Sequence, residues 1–238
     1  MKKIENLKIK IFSDGADQND MIEMSNKPFI KGLTTNPSLM KKAGIKDYKS
    51  FAKDILSKIK TKPISFEVFS DDFSEMEKQA IEISSWAKNV YVKIPITNTK
   101  KNTSCDLIKK LSQQKIKLNI TAIMNIEQVK QVMTVLDKKV PSIISVFAGR
   151  IADTGRDPIP IMKNCLQEMK NNESSELLWA SSRELLNIFQ AEEIGCHIIT
   201  VTKEIINKLS LVNYDLENYS LDTVKDFYED ALKAKFKV

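Results

Sequence analysis

Lys93 offers the most chemistry of any residue in this chain. It sits inside the run Val90-Tyr91-Val92-Lys93-Ile94-Pro95-Ile96-Thr97, where β-branched and aromatic neighbours predict a strand. Burial disfavours an ammonium ion, so a pKa below the ordinary lysine value is expected. A neutral lysine amine is a nucleophile for carbonyl carbon. The competing reading is an edge-strand lysine whose head reaches solvent. In a chain with 37 lysines and arginines that reading stands unless other residues join Lys93 in one task.

Other polar residues do fall at matching places. Asp14 closes the first predicted strand, and Thr34-Thr35-Asn36-Pro37-Ser38 closes the second. Glu67 lies on the third, Asn119-Ile120-Thr121 ends the fifth, and Ser145 lies on the sixth with Arg150 just beyond. Ser181-Ser182-Arg183 ends the seventh. Together they suit Schiff-base carbon–carbon chemistry. The lysine attacks a ketone to give a carbinolamine and then an iminium, which takes up electrons when the adjacent C–C bond breaks. One carboxylate removes the proton from the hydroxyl of the departing carbon, and the other manages protons while water is lost. The amide and hydroxyls hold substrate hydroxyls, and the Ser/Arg pairs suit a phosphate kept away from the reacting centre. Each residue also has an ordinary explanation. Asp14 fits a turn, Asn36 before Pro37 fits a helix start, Glu67 fits a surface ion pair, and Ser181 and Ser182 fit helix caps. Those explanations leave unexplained why suitable polar types occur at the ends of seven consecutive strands.

The elements that must position these residues alternate along the chain. Predicted strands are Leu7–Phe12, Phe29–Thr34, Ile64–Val68, Val90–Ile94, Lys117–Thr121, Ile143–Phe147, Leu177–Ser181 and His197–Val201. Helical periodicity appears between them. Phe73, Met76, Ala80, Ile83 and Ala87 follow Asp72 as N-cap, and Ile126, Val129, Val132, Met133 and Leu136 follow Asn125. Ile205, Ile206 and Leu209 follow Thr202. A last helix is predicted over Leu221–Phe236, with Val224, Phe227, Tyr228, Ala231 and Leu232 on one face. Eight strand–helix units predict an α/β fold, a (β/α)₈ TIM barrel with an additional C-terminal helix. The rival, a doubly wound open sheet, usually carries a glycine-rich phosphate loop after its first strand. Here that strand ends Ser13-Asp14-Gly15-Ala16-Asp17, and the 6 glycines form no G-x-G-x-x-G. No linker or repeat divides residues 1–238, so one domain is expected.

Composition narrows the function classes. With 42% hydrophobic and 29% charged residues the chain reads as a globular protein, and no apolar run has the length of a membrane span. The basic opening Met1-Lys2-Lys3 has no apolar stretch behind it, so no signal peptide is expected. Cys105, Cys165 and Cys196 are too scattered for a disulfide framework or metal cluster, which makes a cytoplasmic location the default expectation. The net charge of +6 is spread along the chain without a dense basic block, so neither nucleic acid nor membrane is expected as a partner. Almost all of it is lysine, and the only arginines are Arg150, Arg156 and Arg183. A guanidinium fork suits phosphate better than lysine does, so arginines confined to one stretch point to a phosphate there.

Five motifs, in this order, resemble the transaldolase family: Gly32-Leu33-Thr34-Thr35-Asn36-Pro37-Ser38-Leu39, Val92-Lys93-Ile94-Pro95, Asn119-Ile120-Thr121-Ala122, Ser145-Val146-Phe147-Ala148-Gly149-Arg150-Ile151 and Trp179-Ala180-Ser181-Ser182-Arg183. The resemblance runs from about Ile9 to Thr202. It implies a barrel with the Schiff-base lysine, here Lys93, on the fourth strand. Asp14 would exchange the proton of the cleaved hydroxyl, and Glu67 and Thr121 would move protons through a water during iminium formation. Asn36, with Thr35 beside it and Ser181 nearby, would hold the dihydroxyacetone unit. Arg150 and Arg183, helped by Ser145, would grip the sugar phosphate. No metal and no cofactor would be needed.

The resemblance also sharpens the reaction. The related fructose-6-phosphate aldolases usually carry Gln where Glu67 stands and Tyr where Phe147 stands. A Tyr hydroxyl helps protonate the intermediate, whereas Phe leaves it waiting for an aldehyde. Glu67 with Phe147 therefore points to a transaldolase of the pentose phosphate pathway, converting sedoheptulose 7-phosphate and glyceraldehyde 3-phosphate to erythrose 4-phosphate and fructose 6-phosphate. The alternatives are an aldolase releasing free dihydroxyacetone and, in another class, a basic non-catalytic binding protein. Departures from the family pattern are Gly15, where Thr is common beside the aspartate, Val146 and Ala148, where many members have Pro and Val, and the single histidine His197, read as structural. The short form of the family packs its C-terminal helix on a neighbouring subunit, so a homo-oligomer is expected, with 221–236 at the contact.

Overall fold

The structure, a computed structural model, describes residues 4–235. Eight strands pair in chain order and close on themselves. They are β1 (Lys10–Asp14), β2 (Ile30–Thr34), β3 (Ile64–Glu67), β4 (Val90–Pro95), β5 (Leu118–Ile123), β6 (Ser142–Val146), β7 (Ser175–Trp179) and β8 (Ile198–Thr202). Every pairing is parallel, including the closing one between β8 and β1. Helices fill every interval between the strands. The expected (β/α)₈ barrel is therefore the observed one.

Side-chain alternation divides the apolar residues into two cores. Ile11, Leu33, Phe66, Val92, Ile120, Ile144, Leu177 and Ile199 point outward and pack with the helices in one continuous cluster. Phe12, Ile143, Leu178, Ala180 and Ile198 form a separate cluster inside the barrel. Phe12 occupies the interior because β2 offers no side chain against it: a Cβ on Gly32 would lie 2.5 Å from Phe12 Cζ. Below this plug, at the N-terminal ends of the strands, Lys10 pairs with Glu176 at 2.7 Å. Above it the inward residues turn polar again, and the site described below lies there.

Several helices begin where the chain supplies a capping side chain. Asp72 accepts from the Glu75 amide and Asn125 from the Gln128 amide, as expected, and Gln128 returns the bond to complete a capping box. The strand limits lie within one residue of expectation except at the first, fifth and seventh strands, the fifth running on to Ile123. Leu7–Ile9 does not pair, because the Lys8 and Ile9 amides donate to the Glu192 carboxylate. The seventh strand ends before Ser181, whose φ of 61° turns the chain out of the sheet. The C-terminal helix starts earlier than expected, at Leu216 with Asp215 as cap, and runs to Ala234. Its predicted end, Phe236, lies outside the described residues. None of its residues is buried, and Val224, Phe227 and Tyr228 are 60%, 70% and 66% exposed, so the apolar face assigned to a subunit contact is open on the single chain. Among the described residues no helix is long and apolar enough to cross a membrane.

Gly32→Ala is expected to destabilise the barrel by about 1–3 kcal/mol through overpacking against Phe12, measured by denaturant unfolding. Adding Phe12→Leu should recover part of that loss, and no recovery would show that the clash is elsewhere.

Candidate active site

A cavity of about 570 Å³ opens at the C-terminal ends of the strands, the face where barrels of this kind carry their chemistry. Lys93 forms part of its floor and is only 6% exposed. Glu67 and Lys93 are register partners on β3 and β4, so their side chains leave the same face side by side. Lys93 Nζ lies 3.0 Å from Glu67 Oε2 and donates to the Thr35 carbonyl at 2.9 Å. The expected buried lysine is present, and its charge is met by a carboxylate and a backbone dipole.

Asp14 ends β1 and faces the same cavity. Its register partner on β2 is Thr34, whose Oγ1 donates to Asp14 Oδ1 at 2.7 Å. Thr34 also shares a hydrogen bond with Thr200. An ionised carboxylate only accepts, so Thr34 spends its proton on Asp14 and Thr200 must donate to Thr34. Burial pushes the Asp14 carboxyl above the ordinary aspartate range; the Lys93 charge and the Thr34 bond pull it back, and Glu67 pushes it further up. Gly15 leaves open space where a side chain would sit. Asp14 is thus held from the neighbouring strands rather than by its own neighbour in sequence.

Across the floor, Asn119 is fully buried and is the register partner of Lys93 on the β5 side. Its amide donates to Ser65 Oγ at 3.0 Å and accepts from Ser145 Oγ at 2.6 Å. Thr121 Oγ1 is buried in the cavity wall with no hydrogen-bond partner. The register between β5 and β6 shifts between Ile120 and Ile123, where Ala122 adopts a left-handed φ of 61°. Such irregularities re-aim side chains beside sites. Asn36 caps the helix Pro37–Lys42 through its amide oxygen, accepting from the Leu39 amide at 3.0 Å. Its Nδ2 is left for the cavity that the residue lines.

The two phosphate candidates stand differently. Arg150 lines the mouth, its guanidinium 5.8 Å from the Phe147 ring centroid. Arg183 does not line the cavity. It pairs with Asp153 through Nε at 2.9 Å and through Nη2, and its Nη1 donates to the Ser181 carbonyl and hydroxyl. Ser181 lines the cavity, and the backbone beside it is so close that a Cβ on Gly149 would lie 1.6 Å from the Ser181 carbonyl oxygen. Neither serine caps the next helix, which starts at Leu186; Ser182 instead donates to the Thr200 carbonyl. Thr35 contributes its backbone carbonyl but does not line the cavity, and its hydroxyl is buried and unpaired. The sequence places Thr34 and Asn119 at strand ends without giving either a role of its own, and it does not mark Thr200. Inward alternation along β2, β5 and β8 places all three. His197 is structural as expected: its Nδ1 accepts from the Leu177 amide at 2.9 Å, and burial lowers its pKa.

The motifs and this geometry can be set against known proteins. A family model described as Transaldolase/Fructose-6-phosphate aldolase matches residues 11–238, a span that holds every residue of the cavity. The chain belongs to this family. A probable transaldolase from Thermoanaerobacter sp. (strain X514) is 31% identical over 97% of this chain and 100% of its own. One from Clostridium kluyveri is 33% identical over 83% of this chain and 88% of its own, and one from Methanococcus vannielii 30% over 90% and 97%. A crystal structure of 2,3-dimethylmalate lyase aligns with a TM-score of 0.58, covering 98% of this chain and 86% of that one. At 11% identity it shows the barrel alone. An enzyme of the transaldolase/fructose-6-phosphate aldolase family thus presents one buried lysine, two carboxylates and an arginine at a single cavity.

Carboxyl NMR should find Asp14 titrating above the ordinary value of about 3.9. Thr34→Val removes a bond that favours the charged form, so the midpoint should move higher still. A midpoint that stays or falls would show that Thr34 does not support the carboxylate.

Proposed function

We propose that the protein is a transaldolase that carries a dihydroxyacetone unit on Lys93 from a ketose phosphate to an aldose phosphate. The observation that supports this best is the buried Lys93–Glu67 pair at the floor of the cavity, with Asp14 close enough to be affected by both charges. Glu67 takes a proton from Lys93, and the free amine adds to the ketose C2 carbonyl to give a carbinolamine. Its hydroxyl leaves as water after receiving a proton from Glu67, with Thr121 Oγ1 offering an unpaired site for the water that carries it. The product is an iminium. Asp14 then removes the C4 hydroxyl proton, the C3–C4 bond breaks, and its electrons pass into the iminium to leave an enamine. The aldose phosphate departs, an acceptor aldehyde enters, and the enamine carbon attacks it while Asp14 returns its proton. Hydrolysis of the new iminium frees the product. Every step is a proton transfer, an addition to C=O or C=N, or the reverse of one, so the sequence draws on no metal or cofactor.

The reaction we assign exchanges sedoheptulose 7-phosphate and glyceraldehyde 3-phosphate for erythrose 4-phosphate and fructose 6-phosphate, within the pentose phosphate pathway and in the cytoplasm. Phe147, in the cavity lining, supports transfer over simple cleavage, because it brings no hydroxyl into the site to assist protonation of the enamine. Arg150, stacked near Phe147, is the phosphate ligand already turned to the cavity. Arg183 joins it by exchanging Asp153 for the phosphate.

Incubation with fructose 6-phosphate and erythrose 4-phosphate should yield sedoheptulose 7-phosphate with little free dihydroxyacetone, read by mass spectrometry. Borohydride should trap a three-carbon adduct on Lys93, and a folded Lys93→Ala chain should lose both adduct and turnover. Turnover by that variant would refute the mechanism. Phe147→Tyr should raise the share of free dihydroxyacetone severalfold; an unchanged share would remove Phe147 as the determinant of transfer.

A further inference from the structure

The end of β3 has a backbone bond that the sheet cannot make. On its β2 side the ladder runs from the Leu33 amide to the Pro63 carbonyl at 2.9 Å and from the Thr35 amide to the Ser65 carbonyl at 3.3 Å. Parallel spacing would put the next bond between the amide of residue 37 and the Glu67 carbonyl, but β2 ends at Thr34 and residue 37 opens the helix Pro37–Lys42. Residue 37 is proline, which has no N–H. The Glu67 carbonyl instead accepts from the Tyr48 hydroxyl at 2.8 Å. We propose that Tyr48 is a positioning residue: its hydroxyl replaces the donor that β2, ended at Thr34 and followed by Pro37, does not supply, and so fixes the backbone from which Glu67 reaches Lys93.

Tyr48 opens the helix Tyr48–Lys58, capped by Asp47. Its ring is held edge-on by Phe66, Phe69 and Trp86, with centroids 6.2, 5.7 and 5.6 Å away. A ring clamped on three sides loses little freedom when its hydroxyl bonds, so the donor is aimed in advance. Burial pushes the phenol above its ordinary range, and it stays a donor across the working pH. Glu67 needs this support because, together with Pro37, it stands between two cavities. It lines the main site and also a second, outer one of about 400 Å³ that Tyr48 and Pro37 share. On the other edge the bond from the Val68 amide to the Lys93 carbonyl, at 3.1 Å, ties this end of β3 to β4.

The proposal rests on the Schiff-base reading, and the test separates the two. Purified full-length chain is mixed with fructose 6-phosphate, quenched with borohydride at intervals, and the Lys93 adduct is counted by mass spectrometry. Tyr48→Phe keeps the ring and should slow adduct formation about tenfold, since small displacements of reacting groups cost such factors. KM should change little, because the phosphate grip is distant. In a Glu67→Gln background, already slow, Tyr48→Phe should add no further loss. An unchanged rate in the single variant, or the same tenfold loss on top of Glu67→Gln, would overturn the proposal. So would failure of Tyr48→Phe to fold, which would make the hydroxyl a requirement of the barrel and not of Glu67. If the unaltered chain forms no adduct with this or any ketose, the Schiff-base reading falls first.

Discussion

The site depends on keeping a charged lysine head inside a barrel. Desolvating an ammonium is costly, and a buried ion pair recovers the cost only with good geometry and further hydrogen bonds. Here three adjacent strands share the work. β4 carries Lys93, β3 sets Glu67 beside it in register, and the end of β2 turns the Thr35 carbonyl toward it. Each contribution needs the barrel closed and the register kept, since a shift of one residue would turn Lys93 toward the helices and an apolar residue into the cavity. The fold and the site are therefore specified by the same alternation.

That alternation also explains what the sequence discloses. The strands were legible because their apolar runs are short and bounded, and the two clearest caps, Asp72 and Asn125, have side chains that take the first free amides. The outcome at Leu7–Ile9 was not legible, because a carboxylate far along the chain, that of Glu192, claims the two amides. The same holds at the seventh strand, where Ser181 turns left-handed with no glycine to mark the turn. In the site, Lys93, Asp14 and Glu67 announced themselves as charges at strand ends. The parts played by Thr34 and Asn119, and the presence of Thr200, were not legible, since a polar β-branched or amide residue in a strand is unremarkable until its partner is known. The direction of Arg183 was hidden for a similar reason: nothing in the sequence links it to Asp153.

The overall charge and the site's charge are separate matters. Many of the lysines behind the +6 balance are paired locally: Lys203 with Asp20 and Glu23, Lys110 with Glu77, Lys49 with Glu82. Such exposed pairs contribute little to stability. Arg150 differs in position, since it lines the mouth of a cavity and packs near an aromatic ring.

Within the proposed reaction, this layout orients the substrate. The floor carries Lys93 against two carboxylates, Asp14 and Glu67, while the mouth carries Arg150. A phosphate dianion is repelled by the floor and attracted at the mouth, and low-dielectric walls sharpen both effects. A ketose phosphate therefore enters with its phosphate outward and its carbonyl toward Lys93. The binding energy gathered at Arg150 is spent far from the bonds that change, and it holds the reacting carbon near the amine without opposing the iminium charge that must form there. Asp14, raised in pKa by burial and drawn back by Lys93, stands where its proton affinity responds to the charge on that nitrogen. Acid–base work on the substrate hydroxyl is thus coupled to the state of the lysine through the same buried field that makes the lysine costly to keep.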